Sequence, residues 1–279
     1  MNYITQTNIG NGGRLGNQLF GIAATVGIGK KYNLAPVFPE WEYSKYFKHP
    51  LNVANIPVTD VYHEPYFHYT DVQGFNDSIQ IFTGRDKCYD IKGYFQSARY
   101  WEHCENEIKR MFEPSEELEK QKIRMKKQLG ALLCSVHVRR GDYLGNNFYA
   151  QIGIDYYISA IEYIIENTSC KTFLVFSDDM VSCKKMFDEI FEKLFKEEGR
   201  RIYQRGNIIF VSETNYGDIG EMFYQSFCDH NIIANSSYSW WAAYLNKNPD
   251  KVVVAPSHWF GADSVLDTKD LYTPNMIKL

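Results

Sequence analysis

The chain has 279 residues, 44% of them hydrophobic and 23% charged, with a formal net charge of −4 at pH 7. That length suits one large domain or two of about 130–150 residues each, with a sizeable core. The acidic balance excludes a global basic field for nucleic acid or an anionic membrane, so any anion site has to be a local cluster.

Six cysteines, at 88, 104, 134, 170, 183 and 228, contain no CxxC and no regular spacing. Cys134, Cys170 and Cys228 lie in or beside apolar runs, which reads as reduced, buried thiols rather than a disulfide framework or a zinc site. The N-terminal stretch MNYITQTNIG has neither a basic segment nor an apolar core, so no secretory signal is expected. No window approaches the roughly 18 apolar residues of a membrane span. A cytoplasmic protein, at most peripheral to a membrane, is the expectation.

In chain order, GGRLGNQLFGIAATVGIGKKYN (12–33) predicts a glycine turn entering a helix. Gly12, Gly13 and Gly16 permit positive φ and close backbone approach, as phosphate-cradling turns do, although the spacing is neither Walker nor GxGxxG. Residues 34–90, rich in proline, tyrosine and asparagine, offer few clear elements. EELEKQKIRMKKQLG (116–130) predicts a charged helix with a solvated face. From 132 onward, the apolar runs LLCSVHV (132–138), TFLVFS (172–177), NIIFVS (207–212), HNIIANS (230–236) and KVVVAP (251–256) alternate with helical patterns. The helices are predicted in DYYISAIEYIIEN (155–167), DDMVSCKKMFDEIFEKLF, DIGEMFYQSFCDH and the start of WWAAYL.

This alternation predicts an α/β protein with a doubly wound parallel sheet, Rossmann-like, over residues 131–279. A less regular N-terminal α/β domain occupies residues 1–130. Ligands of such sheets bind beyond the carboxyl ends of the strands, and three polar clusters fall there. His137, Arg139, Arg140, Gly141 and Asp142 follow the first run; Ser177, Asp178 and Asp179 end the second; Asn235, Ser236, Ser237, Tyr238 and Ser239 follow the fourth.

Arginine offers a planar fork to phosphate oxygens. Hydroxyls and free N–H groups at a helix start make an anion seat. Carboxylates after a strand accept from guanine or ribose. Together they fit a nucleoside diphosphate. Each cluster also has a plainer reading: a salt-bridged turn for the arginine pair, an N-cap for SDD, and a capped core helix in which Trp240 and Trp241 are packing residues. The two acids are not a DxD pair and no His/Cys/Asp cluster has ligand spacing, so no metal is expected.

Taken together, GGRLGNQLF, GYFQSARYW (93–101), HVRRGDY, FSDDM and NSSYSWWAAYLN resemble glycosyltransferase family 11, the α-1,2-fucosyltransferases. The motifs span residues 12–246; the family's first turn more often reads GGLGNQ, and here Arg14 is an extra residue. The resemblance implies a GT-B-like build and an inverting, metal-independent transferase without a cofactor. Its donor would be GDP-β-L-fucose on the C-terminal domain. Its acceptor would be a galactose-containing glycan, for a surface polysaccharide or O-antigen.

It further implies that Arg139 holds the β-phosphate, His137 and either Asp178 or Asp179 contact the guanine, and the loop Ser237 to Ser239 touches the diphosphate. Asn17 is an expected catalytic helper, and Gly16, Gln96 and Arg140 are expected donor contacts. For a general base, Asp142 is the nearest motif carboxylate, with a salt bridge to Arg139 or Arg140 as the alternative. His63, Glu64 and His68 lie in the HEPYFH stretch, and a late proton loss would need no strong base. The competing functions are a GDP-sugar transferase of other linkage or acceptor and a nucleotide- or carbohydrate-binding module without turnover.

Overall fold

The computed structural model describes residues 1–71, 87–130, 132–196, 207–211, 214 and 216–279. The chain divides into two units, Met1–Glu117 with Val265–Thr273, and Leu118–Ser264 with Pro274–Leu279.

In the first unit, β1 (Tyr3–Thr5), β2 (Ala35–Pro36), β3 (Asp60–His63) and β4 (Cys88–Lys92) form a parallel sheet ordered β2-β1-β4-β3. Its centre is helix α1 (Leu15–Tyr32), buried from Leu15 to Gly29 except at Asn17. A helix apolar around most of its circumference has to be enclosed, and this one is. It ends at Asn33, in the left-handed conformation (φ 55°), where the Leu34 N–H donates to the Gly29 carbonyl at 2.8 Å. Buried Asp90 of β4 is fully partnered: the Thr7 N–H and hydroxyl donate to it at 2.9 and 2.6 Å, and Lys92 pairs with it at 2.7 Å. Helix α2 (Glu105–Met111) follows. The late segment 265–273 joins this unit through Asp270, whose Oδ1 lies 2.9 Å from Arg99 Nη1.

The stretch 34–90 therefore holds more structure than expected, in strands of two to five residues. Strands this short carry too few alternations to register as a period. Residues 72–86 of that stretch lie outside the described residues.

Helix α3 (Glu116–Leu129) corrects the expected boundary near 130, because all but its first two residues belong to the second unit. Its Leu118, Gln121 and Met125 are buried, and Lys126 pairs with Asp229 at 2.5 Å. The same carboxylate accepts the Leu133 N–H at 2.8 Å. The charged helix is thus solvated on one face and packed on the other.

The second unit carries β5 (Leu133–Val138), α4 (Ile154–Asn167), β6 (Thr172–Ser177), α5 (Met180–Lys196), β7 (Asn207–Phe210) and α6 (Gly217–Phe227). After them come β8 (His230–Ile232), α7 (Ser237–Leu245), β9 (Val253–Ala255) and β10 (Met276–Lys278). All neighbouring strands are parallel in the order β10-β9-β8-β5-β6-β7. Every residue of β5 is buried, as a central strand covered on both faces requires. Tyr157, Ile161 and Ile164 of α4 and Phe187 of α5 pack with Val136 and Val175 in one core cluster.

Helix α7 packs with α6, and its Trp240 and Trp241 are both 0% exposed. The packing reading of the tryptophans holds; truncating either costs about 3–5 kcal/mol. Buried Asn231 of β8 binds the elements together, donating to Ser135 Oγ at 2.7 Å and the Gln225 carbonyl at 2.9 Å while accepting from Asn246 Nδ2 at 2.7 Å.

All five expected strands are present, four of them shorter than their apolar runs and only β6 matching its run in full. The run at 230–236 leaves the sheet after Ile232 and turns, with the Ser236 N–H donating to the Ala234 carbonyl at 2.8 Å. Ser212, in the run at 207–212, lies outside the described residues. The sixth strand, β10, was not expected from its three residues. All six cysteines are free thiols. Among the described residues no helix is long and apolar enough to cross a membrane.

Candidate active site at the switch point of the second unit

The chain leaves β5 for β6 and β7 on one side, then returns to β8 and proceeds to β9 and β10 on the other. The carboxyl ends of β5 and β8 therefore flank the topological switch point, where open α/β sheets bind ligands. The motif residues HVRRGDY follow β5 there, with Gly141–Tyr143 in a short 3-10 turn.

Arg139 is the organised member of the arginine pair. Its side chain is 10% exposed; Nη2 pairs with Asp142 and Nη1 with Asp178 Oδ2 at 2.8 Å. The guanidinium carbon lies 4.9 Å from the centroid of the Tyr143 ring, a cation–π contact. Nε is buried without a hydrogen-bond partner. Asp178 also accepts the Arg140 N–H on Oδ1 at 2.9 Å, so one carboxylate braces both arginines. Gly141 is required beside it, because a Cβ at that position would drive into Asp178 Oδ2. Arg140 departs in another direction, its Nη1 3.9 Å from Met186 Sδ on α5, and its Nε is also buried and unpartnered. Of the two readings of Asp142, the geometry has the salt bridge to Arg139.

His137, the penultimate residue of β5, is 4% exposed, and its ring centroid lies 5.3 Å from that of Tyr238. Burial, and secondarily the charge of Arg139, lower its pKa from 6.5 to about 3. The imidazole is therefore neutral at pH 7 and presents one donor and one acceptor. Its Nδ1 is buried with no partner. Three ring or guanidinium nitrogens in four consecutive residues thus have unmet hydrogen-bonding capacity, which is rare in a folded interior.

The remaining expected residues divide. Asp179 Oδ1 accepts the Ser182 N–H at 3.0 Å, the geometry of an N-cap for α5, while the Asp179 N–H donates to Ser177 Oγ at 3.1 Å. Hydrogen bonds from the Ser182 side chain, and after it the Ser182 N–H, hold the Asp179 carboxyl below the usual range. Ser239, in the first turn of α7, is fully buried and its hydroxyl donates to the Ala234 and Ser236 carbonyls of the preceding turn at 3.4 and 3.3 Å. Ser237 and Tyr238, in the first turn of α7, are half-buried, and the Tyr238 hydroxyl donates to the Asp218 carbonyl at 2.6 Å. Of the pair Asp178 and Asp179, then, Asp178 alone contacts the arginine turn, and Asp179 caps the next helix.

In the first unit, Gly13 has φ 75° in the turn into α1, whereas Gly12 and Gly16, against expectation, have no positive φ, Gly16 lying buried within the helix. Arg14 is the exposed N-cap residue of α1. Asn17 Oδ1 accepts from Gln96 Nε2 at 2.9 Å, so these two expected residues meet.

One contact of the arginine carries no expected role from the sequence. Tyr143 supports the Arg139 guanidinium and stacks on Tyr149 at 3.6 Å between centroids and 7° between planes. The signal was its position four residues after Arg139, in a turn that brings it back.

Residues 14–279 match Glycosyl transferase family 11. The chain belongs to that family. The family 11 chain is 33% identical over 198 residues to the O-antigen biosynthesis glycosyltransferase WbnK of Escherichia coli, covering 68% of this chain and 60% of that protein. It is 31% identical over 176 residues to an alpha-1,2-colitosyltransferase of Escherichia coli, covering 60% of this chain and 55% of that one. A galactoside 2-alpha-L-fucosyltransferase of Caenorhabditis elegans is 25% identical over 254 residues, 85% of this chain and 68% of the relative. The alignments thus span 60% and 55% of the length of the two bacterial relatives.

The fold is GT-B-like. A mutant of Arabidopsis thaliana FUT1 in complex with GDP superposes with a TM-score of 0.56 at 10% identity, covering 91% of this chain and 70% of that one. POFUT1 in complex with GDP gives the same TM-score at 11% identity, covering 91% and 98%.

Proposed function

We propose that this family 11 chain is an inverting α-1,2-fucosyltransferase that moves L-fucose from GDP-β-L-fucose to the 2-hydroxyl of a galactoside, without a metal ion. One observation carries the reading: Arg139 is held at the switch point by two carboxylates and an aromatic ring, with its Nε unmet. The names of the relatives in Escherichia coli and Caenorhabditis elegans support a 6-deoxy sugar donor and a 1,2 linkage.

In this reading the acceptor oxygen attacks C1 of fucose as the C1–O bond to the β-phosphate breaks. The bonding electrons leave with GDP, the acceptor hydroxyl's proton is lost late to solvent, and configuration inverts from β to α. Negative charge grows on the departing phosphate oxygen, so a cation fixed beforehand stabilises the transition state more than the ground state. Arg139 supplies that cation. Asp142, 53% exposed, is the partner a phosphate can displace, while Asp178 keeps the fork oriented. Neutral His137 and the Tyr238 ring suit a nucleobase edge and face, and Ser237 suits a phosphate oxygen. Asn17 is assigned as a helper and Gln96 as a donor contact, each to be tested separately.

Incubating the protein with GDP-fucose and lactose in EDTA, then measuring GDP and the linkage of the trisaccharide, tests this directly. A 1,2-linked product is expected. Absence of GDP release with any β-galactoside contradicts the proposal in favour of binding alone, and a product of other linkage contradicts its regiochemistry. The 31% identity to a colitosyltransferase favours one second reading, a donor lacking the 3-hydroxyl. Side-by-side turnover of GDP-fucose and GDP-colitose separates the two.

A further inference from the structure

Glu64 directly follows β3, and its N–H donates to the Lys92 carbonyl at 2.8 Å, extending the β3–β4 pairing by one step. Its side chain turns onto the segment after β4. Oε2 accepts two successive backbone N–H groups, Tyr94 at 2.8 Å and Phe95 at 2.9 Å, and Oε1 accepts from the Tyr100 hydroxyl at 3.3 Å. Phe95 has φ 49°, in the left-handed region that a bulky side chain adopts only when its surroundings over-determine it. Besides Glu64, two restraints act on Phe95. Its ring is fully buried with an edge contact to Tyr100 at 5.2 Å, and its carbonyl accepts the Ser97 N–H at 2.8 Å. The next residue is Gln96, 7% exposed, whose amide reaches Asn17 Oδ1 at 2.9 Å.

We infer that Glu64 is the positioning residue of the Gln96–Asn17 pair: its carboxylate clamps the amides of Tyr94 and Phe95, holds the left-handed turn, and thereby aims Gln96 at Asn17. The consequence for transfer rests on the function proposed above; the clamp itself does not. Strained backbone of this kind collects where a side chain has to be aimed, which is why the clamp belongs with function rather than with packing alone.

The clamp is also sensitive to protons. Burial raises the Glu64 pKa to about 7, against the opposing pull of the three hydrogen bonds. The titratable groups facing it are the phenols of Tyr62 and Tyr100, and among the described residues no cation pairs with it. Below its pKa the carboxyl is neutral and a weaker acceptor, so the turn loosens as pH falls.

Two variants test the inference. Glu64→Gln keeps a carbonyl oxygen able to accept both amides, and Glu64→Ala removes it. Amide hydrogen exchange of the free protein reads the clamp without substrate: Tyr94 and Phe95 are expected to stay protected in wild type and E64Q and to exchange at least about tenfold faster in E64A. Unchanged protection in E64A overturns the inference. In turnover of GDP-fucose and lactose, E64A is expected to lose at least about tenfold in kcat. E64Q should recover most of that loss and flatten the decline between about pH 8 and 6. An E64Q as inactive as E64A, with both amides still protected, overturns positioning and assigns the carboxylate a chemical step. Were wild type itself to show no transfer, the proposed function would fail while the exchange pattern still decided the clamp.

Discussion

Arg139 Nη1 and Asp178 Oδ2 lie 2.8 Å apart, joining the turn after β5 to the turn after β6. The second oxygen of the same carboxylate holds the Arg140 N–H. Asp178 is therefore what keeps the arginine fork in one orientation. Asp178→Ala is expected to lower transfer by at least about tenfold, the scale of a charged hydrogen bond. Asp178→Asn, which keeps an acceptor for the Arg140 N–H, should fall between the two. Gly141→Ala, whose new methyl displaces the carboxylate, should behave like the alanine variant at position 178. Steady-state kinetics with circular dichroism as a folding control checks all three.

A neutral buried histidine makes stability depend on pH. In the unfolded chain His137 binds a proton near its ordinary pKa of 6.5, whereas in the fold it does so only near 3. Between those values the unfolded state holds more protons. The contribution is fully present above about pH 6.5 and shrinks as pH falls toward 3. At pH 5 the loss from this one group is about 2 kcal/mol. Urea unfolding of wild type and His137→Gln at pH 7 and pH 5 should show a smaller pH difference in the variant, and a weaker affinity for GDP.

Adjacent acids in SDD have different duties. Asp179 caps α5 through the Ser182 N–H, and Asp178 faces the arginines. Asp179→Ala should therefore lower the melting temperature while leaving GDP affinity within about twofold, the reverse of what Asp178→Ala does. Calorimetry of the two single variants distinguishes these roles.

How far the sequence could be read depended on where the apolar side chains were concentrated. Strands β5 and β6 are six-residue, mostly apolar stretches buried on nearly every position, so they and the polar clusters after them were visible at once. Strands β1 to β4 are two to five residues long and carry polar side chains such as Asp90 that are buried with partners far away in sequence. No period reveals a partner of that kind. Helix α3 looked solvated because only Leu118, Gln121 and Met125 face inward, which shifted the expected boundary by about a dozen residues. At the site, residue types and the position after β5 drew attention to Arg139 and His137, and the fold places both at the switch point. Residue types could not assign Ser239 to the carbonyls of the turn before it, choose which acid of SDD is the cap, or assign Glu64 to two amides about thirty residues further along the chain. Such roles depend on which backbone groups are left over after folding.

The central claim is that the Arg139 guanidinium receives the charge of the departing diphosphate. The most direct test is kcat for GDP release from GDP-fucose and lactose by Arg139→Ala and Arg139→Lys, alongside the affinity of each for GDP. A fall of at least about 100-fold in kcat is predicted for alanine, with lysine recovering little because a point charge does not replace the fork. Near-normal turnover by the alanine variant would contradict the account.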